Sequence, residues 1–107
     1  MSTNNKDKES IIKIKNIYSR VINYLNEKTA SNYNVKTQGT RRCIKARVNE
    51  GFVFNDFVKV IDSKVDEWAT DEKMCQFLRP QTLFGTKFES YLQNAQPKNV
   101  KNLLEED

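Results

Sequence analysis

The sequence predicts an all-α domain, a small bundle of four to six helices, and three observations lead there. Glycine and proline are scarce, three and two residues in a chain of 107, too few to punctuate a run of short strands. Apolar residues recur at intervals of three and four over long windows, the period of one helix face. Between those windows stand residues that start or stop helices. A hydrophobic fraction of 37% suits one modest core, so the length points to one helical domain over residues 10–94 with polar ends, a disordered segment 1–9 and a mobile tail 95–107.

The first helix is predicted to begin after Ser10, a plausible N-cap, and to run to about Lys28, with Ile11, Ile14, Tyr18, Val21, Ile22 and Leu25 on its apolar side. The polar string ASNYNVKTQG then reads as a loop. Thr37 or Thr40 can cap a second helix through TRRCIKARVNE, and Gly51 stands where a helix ends in left-handed backbone. Asn55 is the expected cap of a third helix, DFVKVIDSKVDEW, whose stripe is Phe57, Ile61, Val65 and Trp68. Asp71 is expected to open a short fourth helix through Met74, Phe77 and Leu78.

The stretch LRPQTLFGTKFESYL holds two further boundaries. Pro80 biases Arg79 toward extended backbone and suits the first turn of a new helix. Gly85 stops that turn, and Thr86 with Glu89 three residues later reads as a capping box for a last helix carrying Phe88, Tyr91 and Leu92. Trp68, Phe57, Phe77, Phe84 and Phe88 are expected to form or border one core.

Several kinds of chemistry have no candidate residues. The chain contains no histidine, which removes Ser-His and Cys-His nucleophile activation and histidine-bearing zinc sites. Cys43 and Cys75 are far apart and form no CxxC, so free thiols are expected, and two thiolates cannot complete a four-cysteine zinc site. No GxxxxGK[ST] or GxGxxG loop is present to cradle phosphates. No catalytic residue, cofactor site or metal site is therefore assigned, and an enzyme is not expected. The N-terminus has no apolar signal region and no run is long enough to span a membrane, so the expected location is the cytoplasm.

Charge is unevenly placed. From Lys28 to Arg47 there are six basic residues, Lys28, Lys36, Arg41, Arg42, Lys45 and Arg47, and no acidic one; from Asp62 to Glu72 there are five acidic residues against Lys64 alone. The net charge of +4 thus hides a dipolar surface. Ile44 and Val48 define the buried stripe of the second helix, leaving Arg42 and Lys45 outward with Arg41 and Arg47 beside them. Such a cluster suits phosphates or an acidic protein surface; the alternative is a solvated face partly neutralised by the chain's own acidic helix. No aromatic falls among these four cations in sequence, so single-strand stacking is not signalled. Phe52 and Phe54, in the turn beside the basic helix, are candidate apolar anchors for a partner, or else core residues bridging the second and third helices. Lys64 falls inside an apolar stripe and must either snorkel or find a partner that fixes the last helix.

The order VINYLNEKT, TRRCIKARVNEGF, DFVKVIDSKVDEW and FLRPQTLFGTKFESYL resembles the C-terminal domain of phage replisome organisers, the DnaD-like replication initiators of phages of Gram-positive bacteria. The resemblance covers about residues 20 to 93. It implies a family in which an N-terminal winged-helix-like region binds the phage origin. The C-terminal domain would serve replisome assembly by contact with the helicase loader or replicative helicase. This chain lacks the N-terminal DNA-binding part, so the resemblance implies an excised domain or a short stand-alone form that inhibits host replication. The expected binding residues are Arg41, Arg42, Lys45, Arg47, Phe52 and Phe54, with a DNA-binding accessory module on the basic helix as the alternative.

Overall fold

The computed structural model describes residues 17–95. The expectations for residues 1–9, for Ser10, Ile11 and Ile14, and for the tail after Ala95 fall outside them. Within that span the chain is all-α, in one small bundle. Helix α1 covers residues 17–29; α2 is Gln38–Asn49, α3 Phe54–Trp68, α4 Pro80–Leu83 and α5 Phe88–Asn94, with a 3-10 turn at Cys75–Phe77 between α3 and α4.

The core takes one stripe from each helix. Tyr18, Val21, Ile22 and Leu25 of α1, Ile44 of α2, and Phe57, Val60 and Ile61 of α3 meet Leu78, Leu83, Phe84 and Phe88. Its centre is aromatic: the Phe57 ring lies 5.2 Å from Phe84 and 5.0 Å from Phe88, and Phe52 meets Phe88 edge-on at 4.9 Å. Trp68 borders this core rather than filling it, half-buried against Tyr91. Phe77 lies outside the cluster, with the Arg79 guanidinium 5.4 Å from its ring, a correction to the expected five-aromatic core.

The stop signals act as local backbone rules require. At the end of α2, Gly51 takes φ 102° while its N–H donates to Val48 and the Phe52 N–H donates to Arg47, the paired bonds of a Schellman end. Arg79 is extended and Pro80 opens α4. At Gly85 the requirement is space: a Cβ there would come within 2.6 Å of the Gln81 carbonyl oxygen.

The start signals fare less well. Thr37 is the N-cap of α2 but its side chain makes no capping bond, and Thr40 lies buried inside the helix. Helix α3 starts one residue before Asn55: Val53 is the cap, and its N–H donates to the Asp56 carboxylate at 2.9 Å. Asp71 does collect the N–H groups of Lys73 and Met74, yet it opens a 3-10 turn and not an α-helix, a single turn too short to propagate. The Thr86/Glu89 capping box is absent; α5 begins after Lys87 with no side-chain cap.

Three hydrogen bonds, one of them long-range, set the loop after α1. Asn26 exchanges side-chain bonds with the Tyr33 backbone, and the Tyr33 hydroxyl donates to the Leu78 carbonyl at 3.0 Å. Beside it, Ala30 adopts positive φ, 53°, so α1 ends in left-handed backbone without a glycine.

Candidate interaction face on the second helix

Helix α2 buries Thr40 and Ile44 and half-buries Cys43, Arg47 and Val48, a strip at intervals of three and four. Arg41, Arg42 and Lys45 consequently stand on the exposed side. They line a shallow open depression together with Lys36 and Gln38 at the entrance to the helix and Tyr18 from α1. Among the described residues no carboxylate lines it. The Arg41 guanidinium sits 5.2 Å from the centre of the Tyr18 ring, so an aromatic absent from the local sequence does lie beneath these cations. Tyr18 is only 6% exposed, however, and serves as floor to Arg41 rather than as an open stacking platform.

Among the described residues the side-chain ion pairs are Arg47–Glu50 and Lys64–Glu67. The acidic residues Asp62, Asp66, Glu67, Asp71 and Glu72 are all exposed and none pairs with Arg41, Arg42 or Lys45. The face therefore keeps its positive field, and its charges cost little where water solvates them.

The other expected binding residues are placed differently. The Arg47 side chain is only 12% exposed, because its guanidinium turns inward, donates to the Gly85 carbonyl and pairs with Glu50 at 3.1 Å. It ties the end of α2 to the corner before α5. Phe52 and Phe54 are half-buried and packed against the core. Phe52 supports Phe88. Phe54 meets Tyr24 edge-on at 6.4 Å and carries the Arg20 guanidinium 4.0 Å from its ring centre. Lys36, Gln38 and Tyr18 were not among the expected residues; Lys36 belongs to the acid-free run, whereas nothing local connects Tyr18 to α2.

Tyr24 also donates its hydroxyl to Asp62 of α3. Burial, and then this bond and the neighbouring charge, push its phenol up to about 12. The proton is held more tightly in the folded chain, so the Tyr24–Asp62 contribution to stability is intact below about pH 10, the ordinary tyrosine value, and lost as pH rises through about 12. Tyr24→Phe is expected to flatten the alkaline fall of the melting temperature in this window; an unchanged alkaline profile would show that the phenol titrates normally.

Cys43 and Cys75 are free thiols, and burial raises the Cys43 thiol above its ordinary value. Among the described residues no helix is long and apolar enough to cross a membrane.

The fold and this face define a small all-α domain with a cationic outer surface. The chain belongs to the family described as conserved phage C-terminus (Phg_2220_C), whose pattern it matches over residues 21–93. Comparison with curated proteins and with solved structures finds no match.

Proposed function

We propose that this phage domain is a non-catalytic replication module that binds the helicase loader or the replicative helicase through the outer face of α2. It would recruit that partner to phage replication or, acting alone, occupy it and inhibit host replication. The observation that carries the reading is the cationic depression of Lys36, Arg41, Arg42 and Lys45, which among the described residues no carboxylate lines. Among the described residues these cations have no ion pair, and no acidic residue lines the depression. Such a face suits an acidic protein surface, where opposite fields speed encounter and reject wrong partners. The ordered resemblance of the four segments to replisome organisers supports a partner of the replication machinery.

Duplex or single-stranded DNA is the competing ligand, since phosphates answer to the same cations. The protein reading is favoured because the aromatic at the site is buried beneath Arg41, leaving no open ring for base stacking. Capture of the loader or helicase from host lysate should persist after nuclease treatment, and DNA affinity should be weak at physiological salt. Capture lost with nuclease, together with DNA binding that falls steeply with salt, would transfer the face to nucleic acid.

Arg42→Glu with Lys45→Glu should abolish capture while changing stability by less than about 0.5 kcal/mol, because both side chains project from the buried strip. A large fall in melting temperature in that variant would mean that the charges serve the fold.

A further inference from the structure

On the side of the bundle formed by the end of α3, the 3-10 turn and the α4–α5 segment lies a second groove. Trp68, Met74, Phe77 and Tyr91 supply its apolar surface and Arg79 and Lys87 its charge, and among the described residues only uncharged polar side chains complete the lining. The aromatic part is preformed. Trp68 and Tyr91 meet edge to face at 5.8 Å, and the buried Lys64 ammonium lies 5.0 Å and 4.7 Å from their ring centres. Aromatics, methionine and arginine are the residues that protein interfaces favour, and methionine adapts to the shape of an aliphatic guest.

We propose that this groove is the docking site of the chain's own residues 103–107, LLEED. That segment joins two adjacent leucines to three consecutive carboxylates, Glu105, Glu106 and Asp107. Its chemistry complements the groove: leucines for the Trp68, Met74, Phe77 and Tyr91 surface, carboxylates for Arg79 and Lys87. The connection is long enough. Tyr91 stands about one helical turn, roughly 5.4 Å, before Ala95. The seven residues 96–102 can reach as far as roughly 25 Å when extended. Because the segment is tethered beside the groove, a modest intrinsic affinity suffices to fill it. Any external partner for this side of the bundle must displace it. The groove is separate from the α2 face, and neither surface depends on the other.

The chain's single tryptophan lines the groove and reports its occupancy. Leu103→Ser with Leu104→Ser, and separately Arg79→Glu with Lys87→Glu, should each shift Trp68 emission to the red and increase its quenching by acrylamide, with far-ultraviolet circular dichroism unchanged. A synthetic peptide of residues 96–107 added to the leucine variant should restore the blue-shifted emission in a saturable titration that weakens with salt. The wild-type signal should not depend on protein concentration. Identical emission and quenching in wild type and leucine variant, or no response to the peptide, would overturn the proposal. A concentration-dependent wild-type signal would also overturn it, by placing the segment in the groove of a second copy.

Discussion

Phe57→Ala should cost about 3 to 5 kcal/mol, the range for truncating a buried phenylalanine, and lower the melting temperature by roughly 15 to 30 °C in a domain of this size. Phe57 is fully buried at the junction of three elements, with its ring against Phe84 and Phe88, and the cavity would open where α3, α4 and α5 meet. A domain this small has only about 5 to 15 kcal/mol of stability in all, so the variant should be near unfolding at physiological temperature. Trp68 has the larger side chain but is half-buried at the edge of the core. Trp68→Ala should therefore cost less, on the order of 2 kcal/mol from the apolar area withdrawn from contact. Denaturant melts of the two variants side by side check the order. A greater loss for Trp68→Ala would move the centre of the core away from Phe57.

The second large effect is expected at Lys64. It is 5% exposed, pairs with Glu67 at 3.1 Å and directs its ammonium at the faces of Trp68 and Tyr91. Glu67 is about half exposed, and an ion pair at such a site contributes little alone. The ring faces are the stronger anchor, because their negative quadrupoles attract a desolvated cation. Lys64→Glu would put a carboxylate against those faces and beside Glu67, at a cost of about 3 kcal/mol or more from an uncompensated buried charge. Lys64→Met retains the stem and removes the charge, and should stay within about 1.5 kcal/mol of wild type. If Lys64→Glu melts like the wild type, the ammonium is not held between the rings.

How legible each part of this arrangement was in the sequence depends on how local its determinant is. Gly51 and the Arg79–Pro80 pair state backbone preferences that neighbours seldom override, and the structure uses them as expected. Caps are less determined: Asn55 and Thr86 both had suitable side chains, but Asp56 closed onto Val53 instead, and the corner at Gly85 left α5 to start without a side-chain cap. Arg47 could not be sorted from its neighbours by pattern alone, since the Gly85 carbonyl that turns it inward lies 38 residues away. Arg42 and Lys45 were legible because Ile44 fixes the buried side of α2. Lys36 was visible in the acid-free run, whereas Tyr18 joins them only through tertiary packing, and the second groove required α3, the 3-10 turn and α5 to be placed together. Lys64 was visible as an anomaly, a cation in an apolar stripe, while its second ring partner depended on where α5 would lie.

The central claim is that the outer face of α2 binds a replication protein. Its most direct measurement is the equilibrium affinity of purified host helicase loader, free of nucleic acid, for the wild-type chain and for Arg42→Glu with Lys45→Glu. Sub-micromolar binding by the wild type, and binding about tenfold or more weaker in a variant with an unchanged melting curve, is the predicted result. Equal affinities for the two chains, or no loader binding by either while the same wild-type protein binds duplex DNA in a steeply salt-dependent manner, would contradict it.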